Sequence, residues 1–236
     1  MAEIDAAGRT THEINSAIRQ CIAGSCKEIT VRNPRARHNL AVAILEDAHI
    51  RIAGSAGYYC GGLIDGPSIE IEGSAGWGLA ESMLNGHVRV YGSAGSGAAA
   101  AIRGGTVVIH GDAAARLGVS MKGGTVIVGG SCGYMAGFMA QKGTLIVCGN
   151  AGEAFADSMY ATVCYVGGTI ANLGTDAVVA QMDSGEAEQL DRILSTHLPA
   201  SLRSTKSAVS DFKKVVAGRK LWNFDKRELQ IWQEAL

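Results

Sequence analysis

Proline is scarce in this sequence, with 3 residues in 236, and aromatic side chains make up only 6%. Glycine reaches 32 residues, yet the glycines sit inside Val/Ile-rich segments, so neither a collagen nor a flexible-linker reading holds. An excess of charge is also missing. The net charge is −1 with the basic residues scattered, which gives no reason to expect a nucleic-acid or membrane-surface partner. The six cysteines (Cys21, Cys26, Cys60, Cys132, Cys148 and Cys164) form no C-x-x-C pair, which argues against a zinc or iron–sulfur site and for buried thiols. No basic start followed by an apolar core opens the chain, and no apolar run reaches membrane-spanning length. The expected location is the cytoplasm.

What the sequence does hold is a core and a repeat. Hydrophobic residues are 47% and charged residues 18%, enough for a sizeable buried interior. Gly54, Gly73, Gly92, Gly111, Gly130, Gly149 and Gly168 recur every nineteen residues without slippage. A second column, Gly86, Gly105, Gly124 and Gly143, keeps the same period. Gly-Ser-Ala-Gly follows the first column three times, starting at Gly54, Gly73 and Gly92. A fixed period with β-prone stretches before each glycine is the mark of a solenoid.

Stacking the coils tests that reading. One strand column runs Ile50, Ile69, Val88, Val107, Val126, Leu145, Cys164, and the column two residues on runs Ile52, Ile71, Val90, Ile109, Val128, Val147, Val166. All are apolar, and a spacing of two puts both columns on the inward face of a strand. Two further columns pass through Ile64, Met83, Ile102 and Met121, and through Cys60, Leu79, Ala98 and Leu117. The fold class is therefore all-β, a single-stranded right-handed parallel β-helix of about seven coils, roughly 30 Å long at the inter-strand spacing. A leucine-rich repeat lacks its asparagine ladder here, and a left-handed hexapeptide helix would need a period divisible by six. The corner glycines are structural, fitted to φ > 0 or to close approach between coils, and seven copies of one corner argue against a phosphate loop.

Both ends of such a prism need covering. Residues 1–27 are assigned to a helical cap, with Thr10-x-x-Glu13 as a capping box and Ile14, Ala17, Ile18, Cys21 and Ile22 as its apolar face. A strand at Ile29–Arg32 starts the sheet, and the β-helix occupies 28–178. Residues 179–236 form a helical tail, with helices at Ser184–Leu194 and Ser207–Val216, then Leu221–Phe224 and Trp232. The outward strand column changes from Arg51, Glu70, Arg89 to Val108, Ile127, Ile146, Tyr165, which predicts a covered surface. Either the tail or another subunit covers it, and these four residues are the candidate partner interface.

No constellation carries chemistry of its own. The six histidines include no i, i+4 pair, and His110 is read as a corner or core residue. No G-x-S-x-G elbow or repeated aspartate pair appears. Asp112, Glu153, Asp157 and Asp176 fall in turns and are expected to be solvated. No catalytic, cofactor-binding or metal-binding residue is assigned.

The repeated corners, with Ile14-Asn15-Ser16-Ala17-Ile18-Arg19, the later coils from Gly130, Gly149 and Tyr165, and Thr205–Ala208 followed by Phe212–Val215, resemble the C-terminal GXGXG β-helix domain of glutamate synthase. In that enzyme the domain carries no catalytic residue and holds the glutaminase and FMN/iron–sulfur synthase domains in register. The resemblance implies a separately encoded, non-catalytic subunit of a hetero-oligomer. Its partners would be a glutaminase-like subunit and a flavin subunit bearing the FMN and iron–sulfur clusters. It is similar to the subunit of N-methylglutamate synthase, which joins glutamate and methylamine, and to those of split glutamate synthases. The β-helix subunit of formylmethanofuran dehydrogenase or of the formyltransferase/hydrolase complex shares the same domain, and an independent β-helix enzyme is the third reading. Small side chains at Gly130–Gly137 and Gly149–Ala154 are expected to border the route of ammonia or methylamine, testable by Ala151→Trp.

Overall fold

The computed structural model describes residues 1–199, 201, 203 and 208–219; Leu221–Phe224 and Trp232 lie outside them. Nine strands follow one another as parallel neighbours: β1 (Ala2–Asp5), β2 (Glu28–Arg32), β3 (His49–Ala53), β4 (Asp65–Ile71), β5 (Asn85–Val90), β6 (Thr106–Ile109), β7 (Lys122–Val128), β8 (Lys142–Val147) and β9 (Ala161–Val166). The register pairs Ile50 with Ile69, Val88 with Val107 and Val126 with Leu145, so from β3 onward each strand repeats the one nineteen residues before it. The chain is a parallel β-solenoid of about seven turns. Every member of the two inward strand columns from coil to coil is fully buried, from Ile50 and Ile52 to Cys164 and Val166. So are the columns through Cys60, Leu79, Ala98, Leu117 and Phe155, and through Ile64, Met83, Ile102 and Met121.

Each coil closes through two more sides. Ala56, Ala75, Ala94, Ala113, Cys132, Ala151 and Ile170 bridge in parallel as a second, very short ladder. The remaining side is turned by left-handed residues, many of which are not glycine. Leu63, Ser82, Ala101, Ser120, Met139 and Ser158 have φ between 51° and 58°. Such a conformation costs about 1–2 kcal/mol per residue. It persists because each aims its N–H at the next coil: Leu63 donates to Glu81 O at 2.9 Å and Ser120 to Phe138 O at 2.8 Å.

At the first end lies α1 (Thr11–Ala23), opened by a capping box between Thr10 and Glu13. Its Ile14 and Ile18 enter the solenoid core. The polar members of the same segment stitch it down. Asn15 donates to Asn39 O at 2.7 Å and accepts from Ala41 N at 2.9 Å, while Arg19 donates to Val42 O at 2.8 Å. The sheet does not start at Ile29–Arg32, however. β1 precedes α1 and pairs with β2, Ile4 opposite Val31, giving the open edge of that strand its partner.

At the other end the helical expectation fails in part. Helix α2 (Ser184–His197) is present, with Leu190 and Leu194 buried. The segment expected as a second helix instead forms a short 3₁₀ turn at Val209–Asp211 and then β11 (Lys213–Ala217). β11 inserts antiparallel between β9 and β10 (Ala177–Ala180), Lys214 opposite Tyr165 and Val216 opposite Val178. Apolar residues at Val209, Phe212, Val215 and Val216 match a helical period. The unpaired edge of the last coil decides otherwise, since β-branched residues beside an open edge gain ladder hydrogen bonds there.

Candidate functional site

The corner glycines carry a coil-to-coil device. Residues just after them form a polar ladder: Ser74 N donates to Ser55 Oγ and Ser93 N to Ser74 Oγ, each at 3.1 Å. Ser131 N donates to Asp112 Oδ1 at 2.7 Å, Asn150 N to Ser131 Oγ at 3.0 Å, and Thr169 N to Asn150 Oδ1 at 2.8 Å. A Cβ on Gly73, Gly92, Gly111, Gly130, Gly149 or Gly168 would collide with the ladder oxygen of the coil before it. Close approach is therefore the reason for these glycines; of the seven, only Gly54 has positive φ (144°). Asp112 is exposed, as expected, and is also a member of the ladder. Asp157 likewise accepts from Ser158 Oγ and Thr175 N; burial raises its pKa, but these bonds outweigh it and hold the carboxyl below its usual range.

The apolar outer strip is occupied by the chain itself. Val108, Ile127, Ile146 and Tyr165 pack with Leu190, Leu194, Leu198 and Phe212 in a second core, and all four are at most 8% exposed. They are covered by α2 and the segment after it, not held open as a partner interface. Lys214, opposite Tyr165, pairs with Glu186 at the start of α2 and pins that cover. Ala151 and Cys132 belong to the solenoid core. A Cβ on Gly133, Gly149 or Gly152 would meet the backbone of the neighbouring coil. Coil stacking accounts for the small side chains expected to border an amine route, and Ala151→Trp would break the stack rather than probe a surface.

The uncovered half of the same sheet face is polar. Arg51 forms an ion pair with Glu72, and His49 approaches Glu70 at 4.0 Å. Where this half meets the end of α2, Arg89 Nη1 donates to His197 O at 2.9 Å and lies 3.1 Å from His110 Nε2. His110 packs edge-on against Tyr91. Burial, then the charge of Arg89, depresses the His110 pKa; burial, then His87 and Arg89, depresses that of His197. Burial pushes the Cys60 and Cys132 thiols up to about 12 and Cys148 to about 11, away from thiolate reactivity at neutral pH. Among the described residues, no group of three His, Cys, Asp or Glu side chains could hold a metal ion, and no helix is long and apolar enough to cross a membrane.

One surface feature escaped the sequence reading. On the first coils His38, Tyr58 and Trp77 stack, with ring centroids 4.4 Å and 5.3 Å apart. Tyr58 is 41% and Trp77 57% exposed. Each ring leans over a glycine of the next coil, Tyr58 over Gly76 and Trp77 over Gly95. The nineteen-residue spacing of Tyr58 and Trp77 was the available signal. Beside the ridge opens a groove of about 260 Å³ between Asn39, Tyr59, Leu63 and Glu81.

The chain is a parallel β-solenoid of stacked glycine corners, with its outer strip closed by its own helix. The chain belongs to the GXGXG motif family, that of the glutamate synthase C-terminal domain, which it matches over residues 9–223. No curated protein sequence gives a significant match.

Proposed function

We propose that this chain is a non-catalytic structural subunit of a glutamate-synthase-like complex. It holds a glutaminase-like subunit and an FMN/iron–sulfur synthase subunit in register so that ammonia or an amine passes between them. The observation that carries the reading is the family match over residues 9–223, which spans the solenoid and the segments at both its ends. The physics of the fold supports it: every coil is tied to the next by strand pairing, alanine bridges and the polar corner ladder, so spacing along the axis is stiff. The preferred reaction is of the N-methylglutamate synthase type, glutamate and methylamine giving N-methylglutamate. That preference rests on the resemblance of the nineteen-residue coils and the C-terminal tail to that subunit, while Ile14–Arg19, whose polar members bind α1 to the first coil, together with the tail favours the glutamate-synthase side over the formyl-transfer complexes. The flavin and iron–sulfur clusters would belong to a partner, and the complex would be cytoplasmic and hetero-oligomeric.

Affinity purification of the full chain from its native cell, with mass spectrometry, tests this. Recovery of a glutaminase-like and a flavin synthase-like protein in stable proportion is the expected result. Recovery of an amidohydrolase-like and a formyltransferase-like protein, or turnover by the purified chain alone, would overturn it.

A further inference from the structure

The groove beside the aromatic ridge brings a free carboxylate and an exposed aromatic ring together. The Glu81 carboxylate has no hydrogen-bond or ion-pair partner among the described residues. Three other early-coil carboxylates are engaged: Glu70 faces His49, Glu72 pairs with Arg51, and Glu13 is bound by Thr10. Arg19, which reaches Val42 on the groove's wall from α1, donates to Val42 O. Glu81 Oε2 lies 3.0 Å from where a Cβ on Gly78 would stand, and the edge of the Tyr59 ring reaches the same point. A carboxylate and an aromatic ring thus converge over one glycine. Tyr59 is 47% and Leu63 53% exposed, and with Val42 they supply apolar walls.

We propose that this groove is a docking pocket for an arginine side chain presented by a partner protein. The aliphatic stem lies along Leu63 and Val42, and the guanidinium stacks on Tyr59 and pairs with Glu81. A planar guanidinium satisfies both elements at once, stacking on a ring while donating two parallel hydrogen bonds to a carboxylate; an ammonium makes only point contacts. A protein is the fitting bearer because the exposed, stacked rings of Tyr58 and Trp77 adjoin Tyr59 and Gly78 in the chain, the kind of aromatic surround that excludes water from an anchoring arginine. The identity of that protein rests on the scaffold reading; the chemistry of the groove does not.

The test uses the full chain, methyl-labelled at leucine and ring-labelled at tyrosine, titrated with N-acetyl-L-argininamide and followed by NMR. Saturable shifts confined to Leu63 and Tyr59 are expected, with affinity falling about tenfold in Glu81→Gln. The uncharged citrulline analogue should bind more weakly still, and the lysine analogue less well than arginine. Absence of saturable shifts, or equal binding by Glu81→Gln or by citrulline, would overturn the proposal. A concentration-dependent dimer in sedimentation that Glu81→Gln abolishes would identify a second copy as the occupant and overturn the partner assignment. Failure of the titration leaves the co-purification result untouched, and failure of co-purification leaves the titration standing.

Discussion

The Ser93 hydroxyl stands 2.5 Å from the place a Cβ on Gly111 would occupy, and the same hydroxyl accepts the Asp112 N–H at 3.1 Å. One atom therefore both ties two coils together and forbids a side chain at the corner above it. Gly111→Ala should destabilise the protein by about 2 kcal/mol through overpacking, and Ser93→Ala by about 1 kcal/mol through the lost hydrogen bond. In the double variant the collision with the hydroxyl is gone, although Gly92 O still stands 2.9 Å from the new methyl. Urea denaturation of all four proteins should then give a double-variant loss smaller than the sum of the singles. Strict additivity would show that the two residues do not share that space.

The cover over the outer strip should behave as a separable layer. Leu194 is fully buried on α2 against the strip of Val108, Ile127 and Ile146. Leu194→Ala should cost roughly 2–4 kcal/mol of α2 docking, as expected for a deleted core leucine. The solenoid itself is stitched coil to coil and should keep its far-ultraviolet signal. Limited proteolysis should cut first near α2, with new binding of an apolar dye. Loss of the whole β signal instead would mean that cover and solenoid unfold as one unit.

The solenoid was legible because its period was. Columns such as Ile50 to Cys164 repeat with no insertion, and an inward position must be apolar in every coil. The corner ladder was not, because Ser, Asp and Asn at 93, 112 and 150 look unlike one another until each is seen offering one oxygen to the same N–H. The left-handed side was hidden for a related reason: Leu63, Ser82 and Met139 share a backbone conformation, not a side-chain type. β11 was misread because its apolar spacing fits a helix, and only the open edge of β9 selects the strand. The covered strip was visible as a charged-to-apolar switch, though sequence left its occupant open.

Thr162 extends the second glycine column one coil beyond Gly143, and its hydroxyl is buried with no hydrogen-bond partner among the described residues. A buried orphan hydroxyl is a net penalty, and valine has nearly the same shape. Thr162→Val should raise stability by about 1 kcal/mol in a thermal or urea melt. Destabilisation would mean that the hydroxyl has a partner, such as a bound water, in solution.

The seam at the end of α2 should make its docking pH-dependent. His110 and His197 have depressed pKa values in the folded protein, caused first by burial, with Arg89 opposing protonation of both and His87 of His197. Glu70 also lines this seam, together with His87 and Arg89, and is the acidic group there. A base with a depressed folded pKa binds fewer protons folded than unfolded, so its contribution is fully present above the unfolded value near 6.5 and is lost as pH falls through the folded value. The helix dipole works the other way, since a cation at the C-terminal end of α2 is favoured, but Arg89 already fills that place on His197 O. Hydrogen exchange of the α2 amides, corrected for intrinsic rates, should therefore quicken as pH falls below about 6.5, while β3 to β8 stay protected. The double variant His110→Gln, His197→Gln should flatten that dependence. An unchanged slope would show that neither histidine carries it, since the Glu186 carboxyl at the other end of the helix, hydrogen-bonded first by Lys214, is held below its usual range and titrates below this window.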